Sequence, residues 1–121
     1  DAIQDDAWLQ GDFITTVQKR GAAIIQARGA SSAASAANAI VDSVKSIIQP
    51  TADGDWNSLC ICSDGSYEVP EGLISSFPIR SDGTKLSVVA DLPLNEFSRE
   101  KLNATVAELS DERSMVSDLI S

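Results

Sequence analysis

The amino-acid sequence predicts an α+β domain with two N-terminal helices, a small antiparallel sheet and a long C-terminal helix. Apolar residues recur every three or four positions in the first 48 residues and again after residue 95, as they do in amphipathic helices. Between these stretches, three short apolar segments are separated by turn sequences that include Asp-Gly. Helical and extended segments are therefore segregated along the chain, which is typical of α+β folds, and 121 residues suffice for one domain.

The first helix is predicted to begin with a cap at Asp5 or Asp6 and to end before Gly29, because glycine commonly follows the last helical residue. Glycine is unfavourable inside a helix, so Gly11 predicts a bend and Gly21 predicts close packing against a neighbouring element. The apolar positions of this helix are Leu9, Phe13, Val17, Ile24 and Ile25.

The second helix is predicted to run from about Ser31 to Ile48, and Pro50 stops it. Its first half is a run of serine and alanine, whose small side chains let a helix, a partner subunit or a ligand approach the backbone closely. Ser31 and Ser32 stand at the predicted helix start, where free N–H groups and the helix dipole favour an anion such as a carboxylate. The alternative is that one serine only caps the helix.

Three strands are predicted over residues 56–62, 73–80 and 85–90, and an Asp-Gly hairpin joins the last two. The first strand carries large or apolar residues on both faces, so both faces are predicted to be covered. Pro78 has no N–H to donate to a neighbouring strand, which predicts a sheet edge or a bulge at that position.

The last helix is predicted to begin at a cap by Asn95 and to pack on the sheet. One face of this helix is apolar, and charged residues occupy the rest of its surface. The residues of the apolar face are Phe97, Leu102, Val106, Leu109, Val116 and Ile120.

Several chemically distinctive side chains are predicted to be structural. Cys60 and Cys62 lie too close in sequence for an ordinary disulfide, so we expect buried thiols in a reducing cytoplasm. A Cys-x-Cys pair is at most half of a zinc site, and the chain has no second pair and no histidine, so no metal site is predicted. Trp8 and Trp56 are predicted to anchor the core rather than to contact a ligand.

Charge and composition restrict the possible partners. A net charge of −9 and a pI near 4.2 argue against nucleic acid or an acidic membrane surface as the main partner. No apolar run is long enough to cross a bilayer, and the first residues do not resemble a targeting signal, so a cytoplasmic location is expected. The absence of histidine removes the commonest general base from the chain.

Seven stretches spread over nearly the whole chain form a distinctive pattern. They are Asp6-Ala7-Trp8-Leu9, the stretch from Phe13 to Ile25, the serine-alanine run, Ser63-Asp64-Gly65-Ser66-Tyr67, Val69-Pro70-Glu71-Gly72-Leu73, Ser76-Phe77-Pro78, and the stretch from Asn95 to Lys101. Taken together, in one colinear register, they resemble the C-terminal part of the cytosolic-like malate dehydrogenases of the lactate/malate dehydrogenase family.

The resemblance implies a two-domain protein of which residues 1–121 form the C-terminal part of the substrate domain, also called the catalytic domain. The Rossmann domain that binds NAD, and the catalytic His, Asp and Arg of the family, would precede this chain, so no catalytic residue is assigned within it. Malate and oxaloacetate are the implied substrates, NAD is the implied cofactor, and a homodimer is the implied assembly. Ser31 and Ser32 match positions that line the substrate pocket of the family, and Ser32 also matches a position beside the nicotinamide.

Two other functions stay open from the sequence. The parent enzyme could act on another 2-hydroxy acid such as lactate, because the residues that recognise the far end of the substrate lie outside the chain. Alternatively, the chain could be an inactive, free-standing substrate-domain fragment that serves for association through its small-residue helix.

Three charged residues bear on the resemblance. Arg20 and Arg28 are predicted to be structural, because the substrate arginines of the family lie upstream. Glu68 departs from the family pattern, which usually has glycine at this position, and this departure predicts a different backbone in the surrounding loop.

Overall fold

The structure, a computed structural model, describes residues 3–120 and divides into two compact units, one ending at Asp42 and one beginning at Ser43. The order of elements is two helices, three strands and a long last helix. The three strands form one antiparallel sheet in the order β1-β2-β3. The predicted α+β architecture is therefore confirmed.

The N-terminal helix is continuous over residues 6–28 but changes its type along the way. It is α-helical over Asp6–Trp8, π-helical over Leu9–Phe13 and α-helical again over Ile14–Arg28. The Asp5 carboxylate accepts a hydrogen bond from the backbone N–H three residues on, at 2.9 Å, which confirms the cap. Gly29 ends the helix with a φ of 74°, a left-handed conformation that glycine adopts at little cost.

The π-helical turn stands where a bend at Gly11 was predicted. A π-helical turn holds more residues than an α-helical turn, so side chains five positions apart come together. Accordingly, the rings of Trp8 and Phe13 lie 5.0 Å apart between their centroids. The predicted close packing at Gly21 is wrong within the chain described, because a Cβ built there would have no neighbour within 4 Å.

The second helix spans Ala34–Ile48 and starts three residues later than predicted. Its first backbone hydrogen bond runs from the N–H of Ala37 to the carbonyl of Ala33, at 3.0 Å. Ser31 and Ser32 therefore lie in the segment before the helix and not on its first turn. Serine readily forms local hydrogen bonds outside a helix, which offsets the loss of helical bonds at these two positions.

The strands agree with the predicted ones to within two residues at each end. They are β1, Asn57–Cys62, β2, Ile74–Ser81, and β3, Leu86–Val88. The Asp-Gly turn joins β2 to β3 as predicted.

The prediction for Pro78 is wrong, because this proline lies in the central strand β2 without a bulge. Its Cα partner in β1 is Ser58, within an unbroken register. Its carbonyl accepts a hydrogen bond from the N–H of Val89 at 2.8 Å, so the side of Pro78 that lacks an N–H faces the third strand. A residue other than proline would donate its N–H to the carbonyl of Val89 here, and that carbonyl accepts from the Tyr67 hydroxyl instead, so the regular pairing of β2 with β3 begins at Ile79.

The core of the second unit lies between the sheet and the C-terminal helix, Glu96–Met115. Its buried apolar residues are Val69, Leu73, Phe77 and Ile79. Three residues of the predicted helix face pack against this core, which confirms the docking of the helix on the sheet; they are Leu102, Val106 and Leu109. The Asn95 side chain caps the helix by accepting from the N–H of Ser98 at 2.8 Å.

Burial along β1 differs from the prediction. Its residues alternate between half-buried and exposed, so only one face of the strand is covered within this chain. Cys60 and Cys62 are free thiols on the exposed face, and the prediction that they are buried is wrong. Trp8 and Trp56 are also exposed in this chain, contrary to their predicted role as core anchors.

Two turns of the second unit share the sequence Ser-Asp-Gly followed by serine or threonine, and they begin at Ser63 and Ser81. In each turn the first serine is buried, and its Oγ accepts from the glycine N–H two residues on, at 3.1 and 2.9 Å. Ser63 donates to the carbonyl of Val69 at 2.9 Å, whereas Ser81 donates to the carbonyl of Ile47 at 2.5 Å. The same motif therefore fixes a loop in one place and the end of a helix in the other.

The aspartates of these turns, Asp64 and Asp82, stabilise them through backbone hydrogen bonds. The hydrogen bonds from Ser66 hold the pKa of Asp64 below its ordinary value. Hydrogen bonds from Lys85 and Thr84 do the same for the pKa of Asp82. Both carboxylates therefore stabilise their turns in the ionised form.

Candidate functional site

The candidate site is the short segment between the two N-terminal helices that contains Ser31 and Ser32. Ser31 is exposed and Ser32 is half-buried. The left-handed Gly29 redirects the chain at the end of the first helix and leads into this segment. The two serines therefore lie between a helix C-terminus and a helix N-terminus.

Arg28 holds the first part of the segment in place. Its guanidinium Nη1 donates to the carbonyl of Ser31 at 3.0 Å. The side chain therefore stabilises the turn that follows the C-terminus of the first helix. This contact agrees with the predicted structural role of Arg28. It also places a cation beside the serines, where an anionic ligand would gain from it.

The Ser32 hydroxyl is oriented by a neighbour that the sequence did not single out. The hydroxyl of Ser35, on the first turn of the second helix, donates to Oγ of Ser32 at 2.7 Å. Because Oγ of Ser32 accepts this bond, its own proton is left to be donated elsewhere. The spacing of three residues across a helix start was the available sequence signal for this pair.

The backbone adds further donors at the same place. The first intrahelical bond is donated by Ala37, so the N–H groups of residues 34–36 have no acceptor within the helix. Together with the Ser32 hydroxyl they suit a carboxylate oxygen or the oxygen of a carboxamide. The segment offers hydrogen-bond donors to a ligand, and it contains no group that could take a proton from a substrate alcohol.

Two cavities in the second unit are less suited to a dicarboxylate. One, of about 280 Å³, lies between the sheet and the C-terminal helix and has apolar walls that include Phe77, Leu92 and Leu102. The other, of about 540 Å³, is polar and contains Arg99. The guanidinium of Arg99 already donates to the carbonyl of Tyr67 at 3.0 Å, so it is engaged within the fold.

Glu68, the departure from the family pattern, lies at the rim of the polar cavity. Its φ is 65°, in the left-handed region that glycine adopts freely and that costs other residues about 1–2 kcal/mol. The Glu68 carboxylate stands 3.6 Å from the Arg99 guanidinium, in an exposed ion pair. The loop therefore has at this position the backbone conformation that a glycine would favour, although the residue is glutamate.

Comparison with known proteins identifies the family. Residues 1–119 match the model of the lactate/malate dehydrogenase, alpha/beta C-terminal domain family, and this chain belongs to that family. The match covers nearly the whole sequence, in agreement with the resemblance found from the seven stretches.

Solved structures of the family show the same fold. A malate dehydrogenase from Naegleria fowleri is 41% identical, with a TM-score of 0.86, over 98% of this chain and 36% of its own length. An apo lactate dehydrogenase variant from Trichomonas vaginalis is 28% identical, with a TM-score of 0.86, over 97% of this chain and 36% of its own. The lactate dehydrogenase of the same organism in complex with NADH and oxamate is 29% identical, with a TM-score of 0.83 and the same coverage. This chain thus spans about a third of the length of these enzymes.

Among residues 3–120, no helix is both long enough and apolar enough to span a membrane.

Proposed function

We propose that this chain is the C-terminal part of the substrate domain of an NAD-dependent malate dehydrogenase, which interconverts malate and oxaloacetate by hydride transfer. The observation that carries the proposal is the 41% identity to a malate dehydrogenase over 98% of the chain, against 28–29% for the lactate dehydrogenases. In this proposal the nucleotide-binding domain and the catalytic histidine belong to a part of the protein outside these 121 residues. The lack of any histidine in the chain supports this division.

Ser31 and Ser32 contribute one wall of the proposed substrate and nicotinamide pocket. The hydride acceptor of the family reaction is the nicotinamide ring of NAD. The Ser32 hydroxyl, whose Oγ already accepts from Ser35, donates its proton to a substrate carboxylate or to the carboxamide. The exposed Ser31 hydroxyl adds a second polar group, and Arg28 keeps the segment in one conformation.

A homodimer is the proposed assembly, supported by apolar surface on the N-terminal helices. No residue of either helix is buried within the chain, and Ile40 is 65% exposed. Apolar residues exposed to this extent along a helix are typical of faces that another protein surface covers. In the proposed enzyme these faces contact the rest of the subunit and the second subunit.

A lactate-specific enzyme is the second candidate, because a lactate dehydrogenase matches the fold with the same TM-score of 0.86. The experiment uses the full-length protein that contains this sequence, with NADH and either oxaloacetate or pyruvate as the substrate. We expect kcat/KM for oxaloacetate to exceed that for pyruvate by about 100-fold or more, since a substrate arginine, which the family resemblance places outside these 121 residues, would pair with the extra carboxylate. A preference for pyruvate would reject malate as the substrate.

The association module is the third candidate and differs from both enzymes in chain length. Intact mass spectrometry of the protein purified from its source tests it most directly. We expect a mass far above 12.8 kDa, and we expect a preparation of only these 121 residues to show no turnover. A native mass of 12.8 kDa would favour the module.

A further inference from the structure

Three Asp-Gly pairs lie in the second unit, and the proposed dehydrogenase reaction uses none of them. They are Asp53-Gly54, Asp64-Gly65 and Asp82-Gly83. The glycine of each pair has a positive φ, of 78°, 92° and 94° in chain order. The residue before the aspartate differs, because it is alanine in the first pair and serine in the other two. The chain therefore contains one dipeptide in two kinds of turn.

Asp-Gly is prone to a spontaneous reaction within the chain. The amide nitrogen of the glycine attacks the side-chain carboxyl carbon of the aspartate, and glycine permits this approach because it has no Cβ. The reaction requires that both the glycine N–H and the carboxyl group can leave their existing contacts. Hydrogen bonds to either group slow the reaction, since they must break first.

Both Ser-Asp-Gly turns hold these two reacting groups in hydrogen bonds. The N–H of Gly65 donates to the Oγ of the buried serine of its turn at 3.1 Å, and the N–H of Gly83 does the same at 2.9 Å. The carboxylates of Asp64 and Asp82 accept from backbone N–H groups two or three residues on, at 2.7 to 3.0 Å. All of these bonds are formed within this chain, so they do not depend on the rest of the protein.

The Asp53-Gly54 pair lacks both restraints. Ala52 has no hydroxyl to accept from the Gly54 N–H, and among residues 3–120 this N–H donates no hydrogen bond. Apart from its chain neighbours, a Cβ built on Gly54 would have no atom of the described chain within 4 Å, so the peptide group has room to move. The Asp53 carboxylate contacts the Arg80 guanidinium at 3.5 Å and accepts from no backbone N–H of the described residues. Only the bond from the Asp55 N–H to the Ala52 carbonyl, at 3.1 Å, closes this turn.

We propose that Asp53 is a site of spontaneous isomerisation to isoaspartate, and that the two Ser-Asp-Gly turns protect Asp64 and Asp82 from the same reaction. The Gly54 nitrogen forms a bond to the side-chain carboxyl carbon of Asp53, which loses its hydroxyl as water together with the proton of the nitrogen. Water then adds to one carbonyl of the resulting cyclic imide and breaks the bond of that carbonyl to the nitrogen. Opening at the backbone carbonyl gives isoaspartate, and no electron is transferred. The product has a free α-carboxylate, which is the group that isoaspartyl carboxyl methyltransferases modify.

The test is an ageing experiment on the full-length protein at neutral pH. Cleavage after Trp56 by chymotrypsin and after Arg80 by trypsin puts the three pairs on separate peptides, and chromatography separates each isoaspartyl peptide from its aspartyl form. We expect isoaspartate to accumulate about tenfold faster or more at Asp53 than at Asp64 or Asp82, because hydrogen bonds must break there before the attack. Transfer of labelled methyl groups by an isoaspartyl carboxyl methyltransferase gives a second measurement. Equal rates at the three sites, or no isoaspartate at Asp53, would overturn the proposal.

Two controls separate the effect of the turns from the reactivity of the dipeptide. In concentrated urea the three rates should become similar, because the protecting bonds are lost. Ser81→Ala removes the acceptor for the Gly83 N–H and should raise the rate at Asp82 about fivefold, the factor that one hydrogen bond supplies, with no change at Asp64. A variant that unfolds would raise the rate at Asp64 as well, so Asp64 reports on folding. An unchanged rate at Asp82 in Ser81→Ala, or rates that still differ widely in urea, would show that the turns do not protect their aspartates.

Discussion

The two compact units of the chain differ in how far their apolar side chains are buried. Among residues 3–120, the four buried apolar residues of the core all lie in residues 43–120, between the sheet and the last helix. The helices of residues 3–42 bury none, although they carry several large apolar side chains. The buried apolar core of this chain therefore lies in the second unit, while the first unit leaves its large apolar side chains exposed or half-buried. Two experiments compare the two units, and three further ones probe contacts within the second unit, from the largest expected effect to the smallest.

The largest effect should come from the core. Phe77 is 2% exposed, and Phe77→Ala should lower the free energy of unfolding by about 3–5 kcal/mol, because it removes an aromatic ring and leaves a cavity. Val17, in the first unit, is 57% exposed, and Val17→Ala should change the same quantity by less than about 0.5 kcal/mol. Urea unfolding of the 121-residue chain measures both. Equal losses would refute the division of stability between the units.

The first unit should respond in activity rather than in stability. In the full-length enzyme, Ser32→Leu should reduce kcat/KM by about 100-fold, because leucine removes the hydroxyl that accepts from Ser35 and puts a bulky side chain where a ligand should bind. Ala37 lies more than one helical turn further along the serine-alanine run. Ala37→Leu should instead lower the free energy of unfolding by about 1–3 kcal/mol, because the larger side chain would overpack against the protein surface that covers this helix face in the full-length enzyme. Steady-state kinetics and the melting temperature of both variants decide between these outcomes. Normal kinetics with a much lower melting temperature for Ser32→Leu would make Ser32 a packing residue.

The end of the second helix should depend on one hydroxyl of the turn after β2. Ser81→Ala removes the donor to the carbonyl of Ile47 and the acceptor for the N–H of Gly83, and it should cost about 1–3 kcal/mol. Ser87→Ala, on an exposed position of β3, is the matched control and should cost less than about 0.5 kcal/mol. Chemical denaturation measures the loss in free energy of unfolding for each variant. Equal losses would show that the hydrogen bonds of Ser81 do not stabilise the end of the second helix.

A smaller change in stability, in this case a gain, is expected when Glu68 is replaced. Glu68→Gly should raise the free energy of unfolding by about 1 kcal/mol, since glycine removes the cost of a positive φ and the exposed pair with Arg99 contributes little. Glu68→Ala keeps the unfavourable backbone and loses the same ion pair, so it should not stabilise the protein. If both variants gained equally, the carboxylate and not the backbone would be the source of the strain.

The smallest effect should appear as pH dependence of the two Ser-Asp-Gly turns. The pKa of Asp64 and that of Asp82 are lowered in the folded state, so their contribution to stability is present above the unfolded pKa of about 3.9 and is lost as pH falls below it. Asp64→Asn and Asp82→Asn should therefore flatten the loss of stability between pH 5 and pH 3. Asp82→Asn should have the larger effect, because Asp82 accepts from three donors. Urea unfolding at several pH values measures this effect. If the free energy of unfolding of both variants fell with pH as steeply as that of the parent, the two carboxylates would not stabilise their turns.

The sequence predicted the elements of the fold well because their signals are local. Caps at Asp5 and Asn95 and the Asp-Gly hairpin depend on residues a few positions apart, and all three are confirmed. The position of Pro78 in the central strand was not predictable in this way. It depends on where β3 begins to pair, which is a tertiary property of the sheet.

Burial was the least predictable property, and the reason is physical. Large or apolar residues on both faces of β1 predicted that both faces are covered, but the part of the chain that the structure describes covers only one of them. The candidate site was predicted as two residues, Ser31 and Ser32, and Arg28 as structural, while the particular contacts that Arg28 and Ser35 make with the segment became visible only in three dimensions. Its role in a pocket stays a prediction that the Ser32→Leu kinetics will test.

The π-helical turn over Leu9–Phe13 has a consequence for how this chain should be aligned with its relatives. A π-helical turn is an α-helix with one residue inserted, and the insertion is absorbed locally while the helix continues beyond it. Relatives in which this helix is regular should therefore show a single-residue gap between positions 9 and 13, with Trp8 and Ile14 matched on either side. Gly11, whose missing side chain faces open space, is the residue whose deletion would most easily return the helix to a regular one.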